Sequence, residues 1–165
     1  MPFDYEANIT AIYNVLADAN TITATVDLSS GLTTRIKNIY KNDPATTSIR
    51  QDSYPCVFIR ISSKDEEYAG LGATGPTGNK KLATCVYDII GLYHKDSVIT
   101  AHSTVLNEVY KMAENIEGVF QQEFTLSNTA LWCNSRRSEF FGPFQSEGAF
   151  VKGVLIELEG RYLFR

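Results

Sequence analysis

Cysteine is scarce in this sequence of 165 residues, and its few cysteines are far apart. Cys56, Cys85 and Cys133 form no CxxC pair. An odd number of cysteines at wide spacing does not suit a disulfide framework, and a structural zinc site needs paired ligands that are missing here. We therefore expect three reduced, half-buried thiols in a reducing compartment, and no metal site.

Positive charge is also limited. Lys and Arg number 15 against 19 Asp and Glu, the isoelectric point is about 5.2, and the first basic residue is Arg35. Nucleic-acid-binding proteins usually carry a basic surface, and a secretory signal starts with positive charge. Apolar runs such as residues 56–59 are far shorter than the roughly 20 residues of a membrane span. The composition therefore argues against sequence-specific DNA binding, a signal peptide and a membrane partner.

Motifs for catalysis or cofactor binding are missing as well. The glycine-rich stretch 70–78 lacks the GxxxxGK[ST] spacing of a phosphate-binding loop. His94 and His102 are the only histidines, and no GxSxG nucleophile elbow accompanies them, although a catalytic triad can also assemble from distant residues. We therefore expect no cofactor and a protein that is not an enzyme.

Two stretches have the periodicity of amphipathic helices. Residues 4–17 place apolar side chains at spacings of three and four behind Asp4, which is a good N-cap. Residues 97–117 repeat the pattern over a longer stripe, with Asp96 or Ser97 as the cap and Gly118 as the end.

The remaining apolar stretches alternate with polar residues and predict strands. The predicted strands are 22–28, 56–62, 81–94, 119–126, 129–138 and 148–164. Residues 33–40 fit a strand or a helical turn, and the Phe-Gly-Pro sequence at 140–144 predicts a corner that turns the chain. The stretch 81–94 is apolar on both faces, which is typical of a central strand covered on both sides; the second cover could come from another subunit.

The fold class that follows is α+β. We expect a single domain over residues 1–165, with two helices packed on an antiparallel or mixed sheet of five to seven strands. Residues 20–47 are interpreted as an additional strand or arm.

Two segments are candidates for contact with a partner. Residues 63–80 hold four glycines and a run of three acidic residues, so we expect an extended, mobile loop that orders on meeting its partner. Consecutive carboxylates do not follow the alternate spacing of calcium ligands. The candidates in this loop are Asp65, Glu66, Glu67, Tyr68 and Leu71. Those beside the predicted corner are Arg136, Arg137, Phe140, Phe141 and Phe144.

Further features complete a recognisable order along the chain. They include Asn42-Asp43-Pro44, Tyr54-Pro55, the strand ending in Tyr93-His94-Lys95-Asp96, and a closing strand pair that ends at residues 153–160. Together with the short first helix, the charged loop and the single long helix, this order resembles the tail terminator (tail completion, or neck) proteins of tailed bacteriophages. The Thr-rich stretch 20–30 is an addition to that pattern.

The resemblance implies a mechanical function in the virion. Proteins of this family form hexameric rings that cap the tail tube, end its polymerisation and offer a surface to the head connector. The expected partners are other copies of the chain, a tail tube protein and a head-completion protein, first in the host cytoplasm and then in the phage neck. DNA would pass through the ring, and acidic groups near the channel would keep it from sticking. Charge reversal at Glu66 and Glu67 is expected to impair assembly without unfolding the chain.

Other classes stay open at this point. A tail tube or head-completion protein shares the combination of sheet and helix. A small hotdog-like α+β enzyme would use Asp88, His94 or His102 as acid and base, and would show a pocket with convergent polar groups and shifted pKa values. A ring protein would instead show large faces that complement one another.

Overall fold

The computed structural model describes residues 3–44, 49–68, 80–95, 101–146 and 149–164. Within these residues the chain forms two α-helices, five strands and one short 3-10 helix: α1 (Tyr5–Ala19), β1 (Asn38–Tyr40), the 3-10 helix Gln51–Ser53, β2 (Cys56–Tyr68), β3 (Lys81–Lys95), α2 (Ala101–Gln122), β4 (Trp132–Ser146) and β5 (Ala149–Phe164). The strands make one mixed sheet in the order β1-β2-β3-β5-β4. The predicted α+β class is confirmed.

Helix α1 begins where the sequence predicts. The Asp4 carboxylate accepts a hydrogen bond from the Ala7 N–H at 2.9 Å, which satisfies one of the free donors of the first turn. Ile12, Val15 and Leu16 are buried against the sheet. The apolar period of the sequence therefore fixed both the existence and the buried face of this helix.

The strand predicted at 22–28 is wrong. This stretch forms turns that follow the end of α1, and Ile22 is 83% exposed. The Asp27 carboxylate accepts the Ser29 N–H at 2.9 Å and pairs with Arg35 at 2.8 Å, which is turn chemistry rather than strand pairing. Of residues 33–40, only the last three join the sheet, as β1, parallel to the start of β2.

Strand β2 is longer than predicted. The strand expected at 56–62 continues past a register shift between Ile61 and Ser63 and ends at Tyr68, which pairs with Lys81 of β3. Residues 63–68 are therefore strand and not loop, because backbone hydrogen bonds to β3 hold a segment whose own side chains are polar on both faces. Residues 69–79 lie outside the described part of the chain.

Both helices pack on one face of the sheet. That face of β3 carries Ala83, Cys85, Tyr87 and Ile89, all fully buried. They form one core with the apolar stripes of α1 and α2 and with the matching residues of β5. The apolar character expected of this face is confirmed.

The opposite face of the sheet has a smaller core at one end. Tyr54, Phe58 and Leu92 are buried there, and Tyr40 stacks on Phe58 with ring centroids 4.7 Å apart. Strand β3 is thus covered on both sides, as its sequence predicts. At this end the second cover comes from Tyr40, Ile49 and Tyr54 of the same chain, so another subunit is not needed for it.

Helix α2 ends later than predicted. It passes Gly118 and continues to Gln122, because Val119 and Phe120 extend the apolar stripe and are almost fully buried. The strand predicted at 119–126 is therefore wrong, because a turn follows the helix, with positive φ angles at Leu126, Ser127 and Asn128. The caps expected at residues 96–97 lie outside the described residues.

Strand β4 does not turn at residues 140–144. The strand starts at Trp132 rather than at 129 and continues to Ser146, with a register shift between Phe141 and Phe144 that absorbs Gly142 and Pro143. Proline is tolerated there because β4 is an edge strand, where one side of the backbone needs no partner. Strand β5, predicted at 148–164, is confirmed over Ala149–Phe164.

Two glycines on neighbouring central strands give a stability test. An added Cβ at Gly153 would lie 2.8 Å from the backbone oxygen of Gly91 and 2.7 Å from ring carbon Cε2 of Phe141. We expect Gly153→Ala to lower the free energy of unfolding by roughly 1–3 kcal/mol through overpacking, measured by urea denaturation.

The matched control is Gly91→Ala. Its closest obstacle is the Met112 thioether, a flexible side chain that can rotate away. We expect a smaller loss than for Gly153→Ala, and an equal or larger loss would contradict the rigid contact at Gly153.

Candidate subunit interface

The sheet has two open edges in the part of the chain that the structure describes. Strand β1 covers only Cys56–Phe58 of β2, so residues 59–68 of β2 have a strand neighbour on the β3 side alone. At the other edge, β4 pairs with β5 and with no second strand. Edge backbone of this kind presents unpaired N–H and C=O groups to a further strand.

The helix-side face of the β2–β3 hairpin is held by ion pairs. The Glu66 carboxylate accepts from the Lys64 ammonium and, at 3.1 Å, from the Lys81 ammonium. The Lys64 ammonium also lies 5.0 Å from the ring centroids of both Phe3 and Tyr5. The hydrogen bond with Glu66 raises the pKa of Lys64 to about 12, and it lowers the pKa of Glu66. Both ion-pair partners of Glu66 therefore lie within the hairpin.

The other two acidic residues lie on the opposite face, away from the helices. Asp65 pairs in register with Thr84, and Glu67 with Leu82. Both are exposed, and neither has an ion-pair partner within the described residues. They are therefore available to a partner. At the end of the same strand Tyr68 is 73% exposed, whereas Leu71 lies outside the described residues.

Arg136 and Arg137 lie on the β4 edge. A register shift between Ser135 and Arg137 leaves Arg136 without a strand partner, and its Nε is 3.2 Å from Glu159. The Arg137 guanidinium donates to Glu139 at 3.3 Å. The two arginine side chains are 53% and 61% exposed. Ion pairs this exposed contribute little stability, so both guanidinium groups can exchange their partners at low cost.

The aromatic candidates of β4 divide between the two faces. Phe140 lies on the helix side and meets Tyr110 of α2 edge to face at 5.0 Å, and both rings remain more than 40% exposed. Phe141 lies on the other face against Gly153, beside the smaller core. The backbone of Phe144 pairs with Val151, and its side chain is outside the described residues. Sequence reasoning missed Tyr110. The one indication in the sequence was that a large aromatic residue lies outside the apolar stripe of the predicted helix.

The structure separates the two groups of candidates. The acidic residues lie on β2 and the arginines on β4, with β3 and β5 between them. Three strand spacings amount to about 14 Å. Asp65, Glu67 and Arg137 nevertheless share the face that is turned away from the helices, because their register partners do. They form two surfaces on opposite edges and not one site.

Two of the acid–base candidates, Asp88 and His94, are not brought together. Asp88 is buried and accepts from Arg60 at 2.9 Å, and Arg60 also pairs with Asp43 at 2.8 Å. His94 follows six residues later on the same strand, about 20 Å away at the rise of a strand. His94 is half-buried and stacks on Tyr54. The side chain of His102 is outside the described residues.

A cavity of about 210 Å³ lies between the C-terminal ends of the two helices. Val15 and Val119 form apolar walls, while Asp18 and Glu123 add carboxylates. Sequence reasoning could not find it, because residues 24–26, which close one side, were predicted as strand.

Among the described residues there is no cluster of three metal-ligating side chains. No described helix combines the length and the apolar character that a bilayer crossing requires.

The three thiols are more deeply buried than expected. Cys56, Cys85 and Cys133 are free and between 0% and 2% exposed. Burial raises the pKa of Cys56 and of Cys133 to about 12 and also raises the pKa of Cys85. Because the thiolate is the reactive form, these groups are poor nucleophiles and poor ligands at neutral pH.

Comparison with solved structures gives 33 matching chains. A chain from a structure titled "Virion of native gene transfer agent (GTA) particle" aligns over 98% of this chain and 100% of its own length, with a TM-score of 0.37 and 12% identity. No family model matches the sequence, and neither does any curated protein. A likeness this weak carries no argument about fold or function.

The buried thiols predict a loss of stability at alkaline pH. The folded chain holds these protons more tightly than the unfolded chain, whose thiols titrate near 9.0. Stability is therefore full below that pH and falls as the pH rises through it. Between pH 8 and pH 10 we expect a loss of about 1.4 kcal/mol for each of Cys56 and Cys133, measured by urea denaturation under reducing conditions.

Cys133→Ala is the control for this prediction. It removes one titrating group, so the decrease between the two pH values should shrink by about a single thiol's share. A free energy of unfolding that is the same at pH 8 and pH 10 would contradict the burial of the thiols.

Proposed function

We propose that this chain is a structural protein of a tailed-phage virion that assembles with copies of itself into a closed ring. The observation that carries the proposal is the sheet whose two edges, in the described residues, are both long and open. A chain with two unlike open edges associates head to tail, and such contacts give a ring when the rotation between copies closes.

The specific role that we propose is that of a tail terminator. The ring, with six copies expected, caps the tail tube, stops its polymerisation and offers its other face to a head-completion protein. The order of elements supports this role, with one short helix, a charged hairpin, one long helix and a closing strand pair. The structural comparison also names a virion particle, but a likeness with a TM-score of 0.37 is too weak to support this role.

Charge is consistent with passage of DNA through such a ring. The chain has a net charge of -4. A surface of this sign repels phosphate and lets the duplex slide without sequence-specific contact. The proposed location is the phage neck, with assembly in the host cytoplasm.

A non-enzymatic role is part of the proposal. Asp88 and His94 lie far apart on one strand, and the three thiols are protonated and buried. Among the described side chains, the geometry therefore offers no support for an acid–base pair.

A tail tube protein is the second candidate, because two open edges serve an open helical tube as well as a ring. The two differ only in whether the rotation between neighbouring copies closes. The assembly product decides between them.

The test is the mass of the purified chain in solution, by light scattering over a wide concentration range, with negative-stain images of the peak. Six copies of an 18.4-kDa chain give about 110 kDa, and a ring with a central hole is the expected image. Long tubes would favour the tail tube protein. A chain that stays monomeric at every concentration and does not bind tail tubes would overturn the proposal.

A further inference from the structure

The direction of the strands determines how two copies can join. Within one copy β2, β3, β5 and β4 alternate in direction, so β2 and β4 are antiparallel to each other. A second copy placed beside the first in the same orientation brings its β2 against β4, also antiparallel. Such a contact continues the sheet and keeps the helices of both copies on one side.

Charge favours this contact over the two alternatives. A β4–β4 contact would bring Arg136 and Arg137 against their own copies, and a β2–β2 contact would do the same for Asp65 and Glu67. Like charges on adjacent strands are destabilising, whereas opposite charges stabilise the pair. Only the contact of β2 with β4 places carboxylates beside guanidinium groups.

The faces agree as well. Asp65 and Glu67 lie on the face turned away from the helices, and so does Arg137. In a continuous sheet, side chains that meet across two strands must lie on the same face. With Asp65 opposite Arg137, antiparallel pairing brings Glu67 towards Arg136.

We propose that residues 63–68 of β2 from one copy add to the β4 edge of the next copy as an antiparallel strand, with Asp65 and Glu67 against Arg136 and Arg137. This inference rests on the proposed function, since it names the contact between neighbours in the ring. It also separates Glu66, which is tied to Lys64 and Lys81, from the two carboxylates that face the neighbour.

The aromatic pair of Phe140 and Tyr110 adds an apolar contact on the helix side of the same edge. Both rings are more than 40% exposed and flank the backbone that the incoming strand would meet. Tyr and Arg are the residue types enriched where interfaces hold most of their binding energy. The β4 edge therefore combines open backbone, two arginines and an exposed aromatic pair.

The experiment uses two full-length variants with opposite changes. Asp65→Lys/Glu67→Lys makes both edges positive, and Arg136→Glu/Arg137→Glu makes both edges negative. Each variant alone should associate roughly tenfold or more weakly than the unchanged chain, because its edges now repel. An equal mixture should assemble again, because the unchanged β4 edge of the first variant meets the unchanged β2 edge of the second, and the two reversed edges also carry opposite charges.

The restored assemblies should have a defined composition, and the weak association of each variant alone distinguishes this contact from β4–β4 and β2–β2 contacts. The two variants must alternate around the ring, so native mass spectrometry should find equal numbers of each and only even totals. The control is Glu114→Lys/Glu123→Lys, which changes the net charge as much as the first variant but lies at the exposed side and end of α2. It should associate like the unchanged chain. Circular dichroism confirms that each variant is folded.

The outcomes separate this contact from the ring itself. If the unchanged chain forms rings but the mixture does not assemble, or if a single variant associates as well as the unchanged chain, the proposed contact is overturned and the ring remains. If the two variants bind each other but the unchanged chain forms no ring, the contact stands and the ring is overturned. Arg137→Gln, a milder change, should weaken association without adding negative charge, and its failure to do so would also count against the contact.

Discussion

The antiparallel pairing of β3 with β5 is the contact on which the rest of the structure depends. It runs without a register shift from Lys81 opposite Phe164 to Lys95 opposite Phe150. Both helices rest on one of its faces and the smaller core on the other. Strands β2 and β4 attach on either side of it. The outer edges of β2 and β4 stay open in the described chain. Because β3 and β5 lie between these two strands, the central pair also sets the distance between the two candidate contact surfaces.

The sequence predicted an element correctly where the pattern of buried side chains matches the period of the backbone. The apolar period and the Asp4 cap identified α1, and the two apolar faces of β3 identified a central strand. It was misleading where the backbone is held by something other than an apolar face. The alternation at 22–28 belongs to turns fixed by Asp27 and Arg35, and residues 63–68 form a strand through backbone pairing and the ion pairs of Glu66.

The candidate contact residues were found from composition, but their arrangement was not. Acidic and basic residues that are 70 positions apart in sequence carry no signal of lying on opposite edges of one sheet. Nor does the sequence distinguish Glu66, which is satisfied inside its own hairpin, from Glu67, which faces the other way. That distinction comes from the alternation of side chains across a strand whose existence was not predicted. Tyr110 is another case, since it joins the β4 edge only through tertiary packing.

The burial of all three native cysteines has a practical consequence for the study of assembly. A cysteine introduced at an exposed position would be the one thiol that maleimide dyes or spin labels reach at neutral pH, because the native thiols are enclosed and protonated. Each copy could then carry a single probe without first removing core residues, whose loss would leave cavities. The separation of probes on neighbouring copies would report which edges meet and at what angle.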